Sequence, residues 1–182
     1  MSVSVRRIAG HEGVLLKALR LEALADSPEA FGETLAEAAG RDQAEYAARA
    51  RAASEGDRRA WFLALPRGPS APVGLIMGRR RPPRDCMVFS MWVAPSARRG
   101  GVGRALVAAV EAWARGWGAT SLVLWVYRSN RDALRFYRRL GFEAVARGPD
   151  AEAGAPHDAL ALCRSIEPPA GPPALVAPAK AG

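Results

Sequence analysis

Cysteine, histidine and lysine are all scarce in this chain of 182 residues. The two cysteines, Cys86 and Cys163, are too few for a disulfide framework or a four-ligand zinc site. The two histidines, His11 and His157, lie far apart without metal-type spacing, so no metal site is expected. Lysine occurs only at Lys17 and Lys180, so nearly all of the 26 basic residues are arginine. Charge-free stretches such as 86–97 are too short to span a membrane, and no membrane partner is expected. The opening Met-Ser-Val-Ser-Val-Arg-Arg lacks the apolar centre of a signal peptide, which makes a cytoplasmic protein the expectation.

What is present is ordinary for a globular domain: 49% hydrophobic and 24% charged residues. That balance excludes a disordered or collagen-like chain. Length and pattern suggest a single domain over 1–166, followed by a Pro/Ala-rich tail over 167–182 that is expected to be disordered. The net charge of +8 suits an anionic ligand or nucleic acid. A basic nucleic-acid module, however, interleaves its cations with surface aromatics. Here the arginines are scattered, and the aromatics sit in apolar strands or on helix core faces. No nucleic-acid partner is expected, and the excess of Arg, Ala, Gly and Pro matches the coding bias of a GC-rich genome.

Residues 2–8 alternate as a strand, and 11–25 carry Leu15, Leu16, Leu19 and Ala23 at helical spacing. Ser27-Pro28 reads as a helix cap, and 30–54 as a helix with an interruption near Gly40. Strands are expected over 61–65, 73–78 and 86–93, with Arg79, Arg80, Arg81 and Arg84 read as a solvated hairpin tip. The turn Arg98-Arg99-Gly100-Gly101-Val102-Gly103 opens a helix whose apolar face carries Val102, Leu106, Val110 and Trp113. A strand over 121–127 follows, then a helix over 130–140 capped by Ser129, and two last strands up to 145 and over 158–165. The strand–turn–helix–strand run in the middle requires a right-handed crossover and a parallel pair. The fold class is therefore α/β with a mixed sheet and helices on both faces.

A glycine-rich turn at a helix start is a device for binding phosphate. The first backbone N–H groups of a helix lack partners, and glycine lets the chain approach an anion closely. Arg98, Arg99 and Arg104 add charge there. A P-loop would place Lys and Ser/Thr after the last glycine, where Arg104-Ala105 stands. A dinucleotide fingerprint would place a small residue at Leu106 and an acid near Val123. Neither nucleotide motif fits.

The run Arg98-x-x-Gly101-x-Gly103-Arg104-Ala105-Leu106, after Met91-Trp92-Val93-Ala94-Pro95, resembles the acyl-CoA motif of the GNAT N-acetyltransferases. Downstream, Asn130-x-x-Ala133-x-x-Phe136-Tyr137-x-x-x-Gly141-Phe142 resembles the second signature of that family, at the expected separation. The resemblance is tight over 91–142. It implies a mostly antiparallel sheet with one splayed parallel pair. It implies acetyl-CoA (coenzyme A) as cofactor, its pyrophosphate on the amides of Arg99, Gly100, Gly101, Val102, Gly103 and Arg104. The pantetheine arm would lie along Met91, Trp92 and Val93, with Asn130, Ala133 and Tyr137 beside it. The activity implied is transfer of an acetyl group from acetyl-CoA to a primary amine of a small molecule or peptide, by direct attack in a ternary complex. Tyr137 would then be the acid that protonates the leaving thiolate.

Two carboxylate positions used for the base in such proteins hold Trp125 and Phe89-Ser90-Met91 instead. Glu33 or Glu37, His157, or a water chain remain for that role, Glu33 as a weak candidate. Trp92 and Trp125 are expected to bracket the slot and favour an apolar or aromatic acceptor; for Arg79, Arg80, Arg81 and Arg84 a solvated tip is preferred over contact with an acidic acceptor or the 3′-phosphate of the cofactor. A silent acyl-CoA sensor is the alternative to an enzyme. A homodimer stays open, since nothing in the residues marks an interface.

Overall fold

A computed structural model describes residues 3–145 and 158–166. Its elements run β1 (Val3–Arg7), α1 (Gly13–Asp26), α2 (Leu35–Gly40), α3 (Gln43–Ser54), β2 (Arg59–Pro66), β3 (Gly74–Arg81), β4 (Asp85–Val93), α4 (Val102–Gly116), β5 (Ser121–Tyr127), α5 (Arg131–Arg139), β6 (Glu143–Ala144) and β7 (Ala159–Ser165). The seven strands form one sheet in the order β1-β2-β3-β4-β5-β7-β6. Only β4 and β5 are parallel; each other neighbouring pair is antiparallel. The mixed sheet expected from the crossover is the one observed.

Period-2 alternation divides the core. On β2, Ala60, Phe62 and Ala64 face α4 and join Leu106, Val110 and Leu122. Trp61 and Leu63 face the other way and join Leu16, Leu19 and Tyr46 of α1 and α3. The sheet is thus covered on both faces, by α4 and α5 on one side and α1 and α3 on the other. Close approach of these layers needs glycine at Gly78, where an added Cβ would stand 2.8 Å from the Trp113 ring. No helix among the described residues is long and apolar enough to cross a membrane.

Three local expectations need correction. The helix expected from residue 30 starts only at Leu35, and the interruption expected near Gly40 falls between α2 and α3. Pro28–Ala30 makes only a 3-10 turn, and Phe31 is extended. Thr34 then caps α2 in a capping box with Glu37, and Asp42 caps α3 by accepting from Ala44 N at 3.0 Å. Ser27 precedes Pro28 without capping anything; its hydroxyl donates to Asp26 Oδ2 at 2.7 Å. The cap of α5 is Asn130 rather than Ser129, its Oδ1 accepting from Ala133 N at 3.0 Å. The segments 146–157 and 167–182, with His157 and the expected tail, lie outside the described residues.

Candidate active site

The parallel pair starts closed and ends open. Asp85, Cys86 and Met87 pair with Ser121, Leu122 and Val123, and the ladder stops there. Beyond it, β4 carries a bulge. Leu75 pairs with Trp92 and Met77 with Phe89, so Ser90 and Met91 together oppose Ile76. Ser90 takes the extra residue in a left-handed conformation, φ +52°. The bulge bends β4 away from β5, and it shifts the alternation by one. Before it, Cys86 and Val88 face α4; after it, Met91 and Val93 do. Trp92 is thereby turned to the α1/α3 face.

Between the separated ends lies a cleft of about 420 Å³ that passes through the sheet. On the α4/α5 side its wall includes Met91, Asn130, Ala133 and Tyr137. On the α1/α2 side it includes Arg20, Phe31, Glu33, Arg79, Trp125 and Tyr127. Of the residues that carry the two motifs, Met91, Asn130, Ala133 and Tyr137 line this cleft, and the turn 98–104 lies outside its lining.

The Gly-rich turn sits at the start of α4. Arg99 has φ +63° and Gly101 φ +82°, two left-handed residues that tighten the turn into α4. Gly101 is the N-cap and its carbonyl receives Ala105 N, so the amides of Val102, Gly103 and Arg104 have no partner within the helix. A Cβ added at Gly101 would meet nothing within 4 Å, so the turn is open to an anion. Gly103 serves packing: an added Cβ would meet Met91 Cε at 2.7 Å and the Phe136 ring at 3.0 Å. Arg99 and Arg104 are exposed at this turn.

Arg98 is spent elsewhere. Its guanidinium is ion-paired with Asp26, and its Nε donates to Val93 O at 3.0 Å. Trp92 Nε1 donates to the same Asp26 oxygen at 2.8 Å. This node ties the end of α1 to β4 and to the turn. The side chain of Trp92 therefore does not bracket the cleft, which is a correction; the bulge at Ser90 is the reason. Trp125 does line it. Ala94 N donates to Val73 O at 2.8 Å, so the alternation of the strand points the backbone groups of Val93 toward the open side.

Tyr137 is 7% exposed and its hydroxyl donates to Met91 Sδ at 3.0 Å. Burial raises its pKa above the ordinary phenol value, so it stays protonated through neutral pH. Asn130 spends Oδ1 on the cap of α5, which leaves its amide N–H groups for a ligand. Glu33 lines the cleft with both oxygens engaged: Oε2 with Arg20 Nη2 and Oε1 with Arg41 Nε, each at 2.7 Å. Burial pushes its carboxyl up, but the hydrogen bonds and charges of the two arginines outweigh this and hold it below its ordinary value. Glu37 is occupied by the α2 capping box. Burial pushes the Cys86 thiol up to about 12, which leaves it inert. Arg20 was not singled out by sequence reasoning, and Arg79 was read in preference as part of a solvated hairpin tip; both line the cleft. Their signal was available only through pairing: Arg79 lies opposite Met87 across β3 and β4.

The model of the acetyltransferase (GNAT) family matches residues 21–142, about two thirds of the chain and both sides of this cleft. The chain belongs to the GNAT family. Solved structures agree in fold. A GNAT acetyltransferase from Staphylococcus aureus Mu50 superimposes with a TM-score of 0.72 at 16% identity, covering 91% of this chain and 100% of the other. The PaiA N-acetyltransferase of Thermoplasma acidophilum, in complex with coenzyme A, superimposes with a TM-score of 0.67 at 15% identity, covering 91% and 100%. In sequence, an aminoglycoside N(6')-acetyltransferase type 1 from Klebsiella aerogenes is 45% identical over 56 residues, or 31% of this GNAT chain. The match spans only 37% of that relative's length.

Proposed function

We propose that this GNAT protein transfers an acetyl group from acetyl-CoA to a primary amine, in one ternary complex. What carries the reading is the open end of the β4–β5 pair beside the α4 turn. An extended thioester arm with an anionic head fits there and in few other kinds of site. The family match and the coenzyme A complex of the Thermoplasma relative support the choice of cofactor. When bound, acetyl-CoA supplies a carbonyl carbon that gains the acceptor nitrogen as its C–S bond breaks, the sulfur leaving as a thiol once protonated.

The chain supplies the rest. The amides of Val102, Gly103 and Arg104, with exposed Arg99 and Arg104, hold the pyrophosphate, and Gly100 and Gly101 keep the approach open. Val93, its backbone N–H turned to the open edge, receives the arm, with Met91 and Ala133 framing it and the Asn130 amide donating to it. Arg98 acts from behind, fixing the turn through Asp26 and Val93. A backbone N–H on the open edge of β4 stabilises charge developing on the carbonyl oxygen. Tyr137, kept protonated by burial, donates to the departing sulfur in place of Met91 Sδ. Glu33 faces the acceptor as a weak base. Its lowered pKa suits it to attract an ammonium and hand the proton to water.

Thermal unfolding with and without saturating acetyl-CoA tests this, with NAD and ATP as controls. Ligand at a hundred times its Kd adds about 2.7 kcal/mol, or several degrees for a domain of this size. A shift with acetyl-CoA alone is expected. A folded protein with no shift overturns the reading. An acetyl-CoA melting shift without thiol release on any amine would favour the silent sensor, a reading that the clamped state of Glu33 supports.

A further inference from the structure

The acceptor half of the cleft has a charge pattern that the cofactor does not explain. The anion cradle at α4 lies on the α4/α5 side of the sheet, whereas Arg20 and Arg79 line the cleft among residues of the α1/α3 side. Arg20 is only 5% exposed. Its Nη2 holds Glu33, its guanidinium carbon lies 5.0 Å from the Phe31 ring centroid, and its Nη1 is fully buried without a hydrogen-bond partner. A buried guanidinium nitrogen left unpaired is costly, and a small shift of the side chain toward the cleft would let a bound acceptor atom relieve that cost. Arg79 forms no ion pair among the described residues; it stacks on Phe89 with its guanidinium carbon 4.9 Å from the ring centroid. Against these two cations, Glu33 is the one carboxylate lining the cleft among the described residues, and Arg41 already shares it.

From this pattern we infer that the acceptor is a small amine that itself carries a carboxylate, an amino acid with an apolar or aromatic body, whose carboxylate sits between Arg20 and Arg79. The inference rests on the acetyltransferase reading and narrows its substrate. The ammonium of such a zwitterion faces Glu33, and its body packs on Phe31, Phe89 and Trp125. A polycationic acceptor, of the kind named for the Klebsiella relative, would bring several positive charges to two arginines that repel them.

The test is a matched set of acceptors: phenylalanine, its carboxamide and phenethylamine, with the aminoglycoside kanamycin beside them. Thiol release gives kcat/KM, and calorimetric titration into protein with and without coenzyme A gives affinity. The amine of the carboxamide is less basic and more available at neutral pH, so a preference for the acid must overcome that advantage. The acid is expected to lead the amide by at least about tenfold, the scale of a charge-assisted hydrogen bond. Arg79→Gln, at an exposed and stacked position, should reduce that ratio toward one by lowering turnover of the acid. Arg67→Gln removes the same charge from the distant β2–β3 hairpin and controls for net charge. Arg20→Gln should act more strongly, with the acetyl-CoA melting shift reporting whether it still folds. Equal rates for acid and amide, an equal loss for both in Arg79→Gln, or fastest turnover of kanamycin would each overturn the inference. If acetyl-CoA does not shift the melt, the acetyltransferase reading fails instead, and titration of the acid alone still decides whether the arginines bind a carboxylate.

Discussion

Strands β4 and β5 are two things at once. Their first three residue pairs, Asp85 to Met87 against Ser121 to Val123, are closed and packed: Cys86 and Leu122 are fully buried, and Met87 is 1% exposed. A few residues on, the same strands part around a cleft lined by Phe89, Trp125 and Tyr127. Parallel strands buried on both faces usually pair along their length. Here the closed half anchors the pair so that the open half can leave its backbone groups unpaired by protein. The difference rests on one residue, Ser90, whose left-handed conformation inserts an extra position and bends β4 aside. Stability is concentrated in one half and binding in the other.

The sharpest way to break that division is to truncate one side chain in each half of β5. Leu122→Ala empties a site at 0% exposure and should lower unfolding stability by about 2–5 kcal/mol, read by denaturant titration. Trp125→Ala, three residues on, removes a ring from the wall of an open cleft. It should lower stability by about 1 kcal/mol while raising the KM for the amine. Equal destabilisation by the two would mean that the open half is core after all.

Next in size is the effect of Tyr137→Phe. The ring keeps its packing on Phe142, 5.3 Å between centroids, and loses only the hydroxyl that donates to Met91 Sδ. The melting temperature should move little, since a weak hydrogen bond to sulfur costs under about 1 kcal/mol. Turnover should fall by about a hundredfold, the lower end for loss of a general acid. Because burial raises the Tyr137 pKa, the wild-type profile of kcat should show no alkaline fall near the ordinary phenol pKa. A fall at that pH, absent from the variant, would mean that the phenol is more solvated than its burial implies.

A smaller effect is expected at the turn. Gly101→Val forces a β-branched residue into φ +82°, at a cost of about 1–2 kcal/mol. The backbone relaxes out of the left-handed region, so the melting shift given by acetyl-CoA should shrink as well. A variant that loses stability but keeps the full shift would separate the conformation of Gly101 from anion binding.

How much of this could be read from residues alone depended on range. Local signals held: the apolar face of α4, the continuous apolar β5, the Gly-rich turn and the Asn130–Tyr137 signature each lie within one element and its neighbour. The parallel pair followed from the crossover. The bulge did not, because a serine in a left-handed conformation looks like any other serine in a strand. Missing it put Trp92 in the cleft, whereas the shifted alternation buries its ring against α1 and α3 and gives its Nε1 to Asp26. The break near Gly40 was legible, but the helix before it was started too early, at Ala30, because its Ala/Glu/Arg composition hides the cap at Thr34. The acceptor side was least legible. Arg20, Glu33 and Arg41 meet across three segments, and the arginine run after Gly78 resembles a solvated hairpin tip unless the register of β3 places Arg79 against Met87.

The smallest expected effect sharpens the comparison from the side of the frame. Asp26 ends α1, and one of its oxygens accepts from Trp92 and ion-pairs with Arg98, which in turn holds Val93 O. Burial pushes the Asp26 carboxyl up, but the bonds from Ser27 and Trp92 and the charge of Arg98 outweigh it and lower the pKa. A carboxyl whose folded pKa is depressed adds stability that is fully present above its unfolded value, near 4, and lost as pH falls through the folded one. Asp26→Asn should therefore cost about 1 kcal/mol at pH 7, less than a fully buried charged pair, because both Asp26 and Arg98 are partly exposed. The gap between the two proteins should close on acidification below about pH 4, as the wild-type carboxyl takes up its proton. Parallel melts from pH 3 to 7 would measure this. A gap that persists at pH 3 would mean that the node acts through the shape of the side chain rather than its charge. Arg98 would then fix the turn by packing alone.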